Sequence, residues 1–501
     1  MFEGIGIFRE LFKDILLARY PFESAMKTAK FCQISGRRFA CQCAWRVPIL
    51  RPPCQISPMT DTAVHMPRVT HARILAVALP AILANFSAVL PQLVDTALIG
   101  QLGEAVALGG ISVGASLATF VLWAFAFLRL GTAGFTAQAY GAEDGDEIKA
   151  TLNRALSLAW IFGFVLLLVM VPLAFVAVPM FGSTEAVADL AARYFHYRLF
   201  SAPFDLTNYV IFGWLVGLQR MGRALGLQLL LNGLNVLLCW FFVYRLHLGV
   251  DGAAIATAIA QAVTAIAGFV VARRLLRIVP LSDDSGSLID LDKLFVLVSV
   301  NFDIFLRTLA VMFVMVYFVG LGARMGDATL AANQVLFALV ATIAQALDGF
   351  AQSAETLTGQ AVGQRDRSAL RRAVGGSLLW ALVLALGLSM LLERYGAAII
   401  GLFTDDPAVL AEATPYLPWL LATPLVATWC YVLDGVFIGA TRGREMRNGM
   451  VIAALGAIIA QYFAIPAFGN HGLWGSLMLF FVLRAVTLYL WYPRIPRALA
   501  Q

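Results

Sequence analysis

Apolar stretches long enough to cross a membrane recur along this chain from position 74 to its end. A helix of about 20 apolar residues spans the hydrocarbon core of a bilayer, whereas membrane barrels use shorter strands of alternating polarity. Only 13% of the 501 residues are charged, against about 25% in soluble domains. The sequence therefore predicts an all-α integral membrane protein.

Glycines, prolines and charged clusters divide the apolar region into twelve helical stretches. The predicted spans are 73–101, 105–140, 149–179, 185–218, 223–247, 251–276, 291–321, 327–362, 368–402, 407–440, 446–466 and 472–493. Several are longer than the about 20 residues that a bilayer requires, so we expect them to tilt or to project beyond it.

Positive charge is distributed unequally between the loops that join these spans. The cationic loop residues are Lys149, Arg220, Arg223, Arg273, Arg274, Arg277, Arg365, Arg367, Arg371, Arg372, Arg442, Arg444 and Arg447. The alternate loops are short and poor in cations. Because cationic loops stay on the cytoplasmic side, both termini are predicted to be cytoplasmic. These loops also account for the net charge of +6 without a nucleic-acid partner.

Residues 1–67 differ in composition from the rest and form a basic N-terminal extension. They contain no signal-peptide pattern, so we interpret them as a disordered tail or an over-extended start, with Met59 or Met66 as the initiator. A membrane-surface anchor is the alternative. Four of the six cysteines fall here, but their spacing fits no zinc template. We expect no metal or other cofactor.

Three pairs of segments repeat along the chain. TAGFTAQAYGAED aligns with AETLTGQAVGQRD, GWLVGLQR with GVFIGATR, and VDGAAIA with NHGLWGS. The offset is 222 residues in the first two pairs and 220 in the third. A repeat of six spans predicts two six-helix lobes, 68–278 and 291–501, related by a pseudo-twofold axis along the membrane normal. Residues 279–290 are polar and are predicted to be a cytoplasmic linker.

Several runs within these spans resemble one family of transporters. They are LVDTALIGQLG, FLRLGTAGFTAQAYGA, FSAPFDLTNYVIFGWLVGLQ, ALDGFAQSAETLTGQAVG and CYVLDGVFIGATRGREMRN. Across residues 68–495 the chain resembles multidrug and toxic compound extrusion (MATE) transporters of the DinF branch. The resemblance implies an antiporter, not an enzyme, in a bacterial-type inner (plasma) membrane. Such a protein exports organic cationic or amphipathic compounds, or toxic metabolites, as protons or sodium ions enter. We expect it to work as a monomer.

Asp95 is the one charged residue between Arg73 and Glu104. A carboxylate at the centre of a membrane helix costs about 3 kcal/mol on insertion scales, so a functional role is expected. Pro80 and Pro91 each remove a backbone hydrogen bond from the same span and can bend it. We predict that Asp95 takes up and releases the coupling ion, as the resemblance also implies. The alternative is a structural carboxylate held by hydrogen bonds.

A polar network is predicted to support Asp95. Asn232 and Asn235 share one face of the fifth span, and Thr257 matches a polar position of the family. Similar transporters often carry an aspartate four residues after the asparagine, where this chain has Cys239. One carboxylate among amides suits a proton better than a sodium ion, so we predict coupling to H⁺ in preference to Na⁺. For Thr257 the alternative is helix packing.

Three other carboxylates within the spans are also candidates for a functional role. Asp205 is expected to replace the carboxylate absent at Cys239 or to contact cationic substrate; the alternative is a pair with Asn208 or Tyr209 on its own helix. Asp348 and Glu355 are predicted to form a cytoplasmic vestibule or to contact substrate; the alternative is that they bond to backbone or to arginines.

The remaining buried charges are interpreted as structural. Asp303 and Arg307 are four residues apart and are predicted to pair with each other. Asp434 is expected to bond to backbone or to an arginine such as Arg442. Arg129 and Arg484 are expected to extend toward the membrane surface.

Other function classes fit the sequence less well. The chain has no phosphate loop for ATP and no catalytic constellation. A lipid-linked-precursor flippase of the same architecture is the main alternative, but its anionic cargo would call for several arginines in the central cleft. The charges within the spans are mostly acidic, which favours cationic or zwitterionic cargo. A receptor is disfavoured by the duplication.

Overall fold

The computed structural model describes residues 68–89, 91, 105–181, 184–277, 290–404 and 406–499. These ranges are built from helices and contain no strand. The predicted extension 1–67, Asp95 and nearly all of the predicted linker lie outside the described residues.

The helices follow the predicted spans to within a few residues. In chain order they are α1 (His71–Ser87), α2 (Ala105–Trp123 with Phe127–Gly141), α3 (Gly145–Ala177), α4 (Glu185–Phe200 with Ala202–Gly217), α5 (Met221–Cys239, continued by a π-helical segment Trp240–Arg245), α6 (Gly249–Leu276), α7 (Leu291–Ala323), α8 (Asp327–Gly363), α9 (Arg367–Gly401), α10 (Pro407–Ala413 with Leu417–Gly439), α11 (Gly443–Phe468), α12 (Asn470–Trp491) and the short α13 (Arg494–Ala498).

Most of these helices can cross a membrane. Among the described residues, ten helices are long and apolar enough, and the two halves of α4, bent by 51°, make an eleventh. Helix α1 is apolar but shorter, because its predicted span, 73–101, continues into residues that the structure does not describe.

The duplication is present in the backbone as well as in the sequence. Three pairs of residues with left-handed φ recur at an offset of 222 positions: Glu143 and Arg365, Gln219 and Thr441, and His247 and Gly469. The helix caps repeat too. The Asp144 carboxylate accepts a hydrogen bond from the Glu147 amide at 2.9 Å, and Asp366 accepts one from the Ala369 amide at 3.0 Å. Side-chain caps of this kind satisfy amides that the first helical turn leaves unpaired.

Close helix packing within each lobe rests on equivalent glycines. A Cβ at Gly213 of α4 would lie 2.2 Å from the Arg129 carbonyl oxygen of α2. At the equivalent Gly435 of α10, a Cβ would lie 2.1 Å from the Ala351 carbonyl oxygen of α8. Only glycine permits backbones to approach this closely, so both lobes use the same packing device.

The first helix of each lobe also packs against the other lobe. Ile74 and Ala78 of α1 belong to a buried apolar cluster formed with α8, α9 and α10. Leu297 and Ile304 of α7 belong to the cluster formed by α2, α3 and α4. Polar residues on α1, α2 and α8 are thereby brought to the boundary between the lobes.

Candidate functional site

Three of the predicted network residues form hydrogen bonds where α1, α5 and α6 meet. Asn232 donates from Nδ2 to Ser87 Oγ at 3.0 Å, and Asn235 donates from Nδ2 to Thr257 Oγ1 at 2.8 Å. The Asn235 Oδ1 atom is buried and has no hydrogen-bond partner among the described residues. An unpaired buried oxygen is an acceptor that a protonated group or a cation can use. Ser87 was not predicted, because serine in an apolar helix is common and gives no distinct sequence signal.

The residues flanking this network are placed as follows. Cys239 is fully buried on α5, one turn beyond Asn235. Pro80 lies inside α1, and the regular part of that helix ends at Ser87, four residues before Pro91. Proline has no backbone N–H, so Pro91 cannot donate the helical hydrogen bond to the Ser87 carbonyl. The end of the regular helix at Ser87 is consistent with this missing bond. Asp95 itself lies outside the described residues, so its role stays a prediction.

Asp205 belongs to a different cluster. Its carboxylate accepts hydrogen bonds of 2.7 and 2.8 Å from Arg198 and one of 2.6 Å from the Ser201 hydroxyl. The expected partner Asn208 instead donates to Gln261 Oε1 at 2.7 Å. Arg198 precedes the bend of α4 and Asp205 follows it, so the ion pair bridges the bend. Asp205 therefore makes no hydrogen bond to the predicted network, because a break in the helix offers it an arginine seven residues away.

Asp348 and Glu355 lie on α8 at the boundary between the lobes. Asp348 Oδ2 is 4.0 Å from Arg129 of α2 and accepts hydrogen bonds from Gln352 at 2.9 Å and from Asn85 of α1 at 3.3 Å. Glu355 is only 2% exposed, and its Oε1 has no hydrogen-bond partner within the described ranges. The structure thus places both predicted carboxylates beside residues of the first lobe, with Arg129 as a shared cationic neighbour.

Glutamines join the two lobes at the end predicted to be cytoplasmic. Gln138 of α2 donates from Nε2 to the Gly439 carbonyl oxygen at 2.8 Å and to Thr441 Oγ1 at 3.1 Å. Both acceptors belong to the second lobe.

The equivalent residues make a second connection. Gln219, at the end of α4, donates from Nε2 to Gln360 Oε1 of α8 at 2.6 Å. Arg73 of α1 donates to both glutamine oxygens, at 2.6 Å and 2.9 Å. We call Gln138, Gln219, Gln360 and Thr441 the glutamine latch. It was not predicted, because neutral glutamines at helix ends usually face solvent and carry no distinct pattern.

The buried charges of the second lobe differ from expectation. Arg307 pairs with Asp434 of α10, and Asp303 pairs with Arg447 of α11, so the predicted pair between Asp303 and Arg307 does not form. Arg484 is also paired with Asp434. In each case a neighbouring helix supplies the buried counterion.

Two further expectations about this region are corrected. Arg484 is only 3% exposed, so it does not extend toward the membrane surface. Arg442 lies 3.6 Å from Glu445 and is not the partner of Asp434. Within the described residues, no group of three or more His, Cys, Asp or Glu is arranged to hold a metal ion.

Comparison with known proteins identifies the family. The MatE family model matches residues 80–241 and, a second time, residues 304–464. The chain belongs to the MatE family. It is 39% identical over 411 residues to DNA damage-inducible protein F of Escherichia coli (strain K12), across 82% of this chain and 89% of that protein. It is 27% identical over 435 residues to the probable multidrug resistance protein NorM of Deinococcus radiodurans, across 81% of this chain and 91% of that protein.

Solved structures agree with the MatE assignment. A crystal structure of MATE in the straight conformation superimposes with a TM-score of 0.78 at 20% identity, covering 86% of this chain and 97% of the other. An outward-facing conformation of a multidrug resistance MATE family transporter gives a TM-score of 0.76 at 21% identity, with the same coverage of both chains. The predicted fold, twelve membrane helices in two lobes, is confirmed, as is the predicted family resemblance. This MatE protein is a multi-pass membrane transporter and not an enzyme.

Proposed function

We propose that this chain is an antiporter that exports organic cationic or amphipathic compounds, or toxic metabolites, in exchange for protons. The two lobes would alternate access to a central cleft, as a monomer in a bacterial-type inner membrane with both termini in the cytoplasm. The similarity to the probable multidrug resistance protein NorM of Deinococcus radiodurans supports export of organic compounds.

The observation that carries this proposal is the pair of contacts in the glutamine latch. Gln138 donates to Thr441, and Gln219 donates to Gln360, so the first lobe donates and the second lobe accepts in two contacts that the internal repeat relates, both at the same end of the molecule. The two neutral contacts each contribute only about 1 kcal/mol and the charged bond from Arg73 to Gln360 about 1.5–3 kcal/mol, so these contacts can form and break during a transport cycle. Alternating access requires contacts of this reversible kind between rigid lobes.

The choice of a proton rests on the residues around the predicted coupling site. Asn235 and Thr257 offer an amide and a hydroxyl, and the next turn of α5 offers the thiol of Cys239. Sodium prefers several hard oxygen ligands, and sulfur is a poor one. Asp95 would then be the one carboxylate of this site, taking up a proton from outside and releasing it to the cytoplasm. Sodium coupling is the alternative.

Transport by purified protein in liposomes tests the proposal. We expect efflux of an organic cation such as ethidium to follow an imposed proton gradient, to be unaffected by a sodium gradient, and to be lost in Asp95→Asn. Asp189→Asn removes an exposed carboxylate from α4 and serves as the control. Proton-driven efflux by Asp95→Asn at the wild-type rate would disprove the role of Asp95. Efflux driven only by sodium would disprove proton coupling.

A further inference from the structure

A buried cluster in the second lobe contains more positive than negative charge. Arg307 of α7 and Arg484 of α12 both donate to the same carboxylate oxygen, Oδ2 of Asp434. Asp434 is the one carboxylate paired with either arginine in the part of the chain that the structure describes. The cluster therefore carries one positive charge in excess.

An excess charge inside a membrane protein is costly. Burying an unpaired ion costs several kcal/mol after relaxation, so buried charges are normally balanced. The Nε atoms of Arg307 and Arg484 are both buried and without hydrogen-bond partners among the described residues. Each guanidinium thus keeps an unused donor, and one further anion would balance the charge of the cluster.

Part of the cluster is exposed. The Arg307 side chain is 15% exposed. Tyr431, whose ring centroid lies 5.2 Å from the Arg484 guanidinium, is only partly buried. Asp348, which faces Arg129 of the first lobe, is among the charged groups that act on Tyr431. The partly exposed Arg307 is the point at which a ligand would meet the cluster.

We propose that Arg307 and Arg484 bind an anionic group of the transported compound, a carboxylate, sulfonate or phosphate. Guanidinium groups hold such oxyanions through paired, charge-assisted hydrogen bonds, which suits the unused donors of this cluster. Asp434 positions the two arginines and prevents their mutual repulsion from separating them. This inference rests on the proposed transport function only in placing the site on the transport path. It revises the expectation that acidic side chains predominate in both lobes.

Two naphthalene probes of similar size and opposite charge test this site directly. Binding of 1-naphthalenesulfonate and of 1-naphthylmethylammonium to the full chain in phosphatidylcholine nanodiscs is measured by equilibrium dialysis. Arg307→Gln removes the excess charge, and we expect it to weaken sulfonate binding by about 10-fold or more, the effect of losing one charged hydrogen bond. Asp434→Asn raises the excess charge, and we expect sulfonate binding to strengthen. The ammonium probe should show neither change.

A purely structural role for the cluster predicts a different outcome. Both variants would then lose affinity for both probes, and that result would overturn the proposal, as would no change in either variant. Arg307→Lys gives a comparison that does not depend on how well Asp434→Asn folds. It keeps the charge, so it should retain more sulfonate affinity than Arg307→Gln. Equal loss in the two would also overturn the proposal. Arg447→Gln, which disrupts the neighbouring pair with Asp303, is the matched control.

The source of the anion is distinguished by the lipid. In nanodiscs containing phosphatidylglycerol, a site for a lipid phosphate would be occupied and sulfonate binding would fall several-fold in wild type but not in Arg307→Gln. A site for a soluble anion would be insensitive to this lipid. Both results support an anion site and identify its occupant. The measurement needs no ion gradient, so failure of proton coupling at Asp95 would leave it unaffected.

Discussion

Gly141 of α2 lies against the backbone of Gln360 of α8, such that a Cβ at Gly141 would be 2.2 Å from the Gln360 carbonyl oxygen. The reciprocal contact exists as well, since a Cβ at Gly363 would be 2.1 Å from the Gln138 carbonyl oxygen. The two contacts are related by the internal repeat and lie beside the glutamine latch. The lobes can therefore close at this end only because both positions lack a side chain.

Replacing either glycine should open this end of the molecule. We expect Gly363→Ala to disfavour the latched state, because the added methyl group overlaps a backbone oxygen that cannot rotate away. Spin labels at positions 143 and 365, which are exposed in the adjoining turns, report the separation. Their distance distribution should shift to longer values in pulsed electron paramagnetic resonance.

The control for this measurement is Gly387→Ala on α9, where a Cβ would meet nothing within 4 Å. It should leave the distance distribution unchanged. An unchanged distribution in Gly363→Ala, with the protein folded, would show that this close contact does not limit closure.

The internal repeat made the fold predictable, but it did not reveal partners across helices. The span boundaries follow from local sequence, and those within the described residues lie within a few residues of the predicted positions. Arg307 pairs with Asp434, 127 residues away, and not with Asp303 on its own helix. Helical periodicity identifies neighbours within one helix only, so such pairs depend on how the helices pack. The same limit explains why Arg198 was missed as the partner of Asp205, since the intervening bend breaks the periodicity.

The ion pair between Arg198 and Asp205 should stabilise the bend of α4. Removing one partner leaves a buried charge unpaired, so we expect Asp205→Asn and Arg198→Gln each to destabilise the fold by about 3–5 kcal/mol. The double variant should be more stable than the sum of the single effects implies. A double-mutant cycle of unfolding free energies, measured by denaturant titration in detergent micelles, gives the coupling.

Transport separates this structural role from a coupling role. Folded Asp205→Asn protein should retain proton-driven efflux, because Asp205 makes its hydrogen bonds to Arg198 and Ser201. Complete loss of efflux in protein that remains folded would instead support the alternative in which Asp205 takes part in ion coupling.

Asp366 should make the start of α9 sensitive to acid. Burial alone would raise the pKa of this carboxyl, but hydrogen bonds from the Ser368 hydroxyl and the Ser368 and Ala369 amides outweigh it, so its pKa is lowered. A lowered pKa gives stability that is fully present above the unfolded value of about 4 and is lost as the pH falls through the folded pKa. The cap contributes roughly 0.5–2 kcal/mol. The low end is expected here because the side chain is 42% exposed and water screens its charge.

Hydrogen exchange at the first turns of α9 measures this contribution. Asp366→Ala should exchange faster than wild type at pH 7, and the difference should diminish as the pH falls below about 4 and through the lowered pKa of the folded wild-type carboxyl. Asp144→Ala, at the equivalent cap, should accelerate exchange in α3 and leave α9 unchanged. A difference at α9 that persists unchanged to the lowest pH would contradict a role for the ionised carboxylate.

Cys239 offers a test of why the proton is preferred to sodium. It is fully buried one turn beyond Asn235, whose side-chain oxygen has no partner among the described residues. Cys239→Asp would add a carboxylate beside an amide and the Thr257 hydroxyl, a set of hard oxygens that suits sodium. We expect efflux by this variant to be stimulated by an inward sodium gradient, which should not affect efflux by wild type.

Cys239→Asn, of similar volume but uncharged, should remain insensitive to sodium. Sodium stimulation in both variants would mean that a polar side chain at position 239 permits sodium coupling whether or not it is charged. A folded Cys239→Asp protein that still responds only to protons would show that the absent carboxylate is not what excludes sodium.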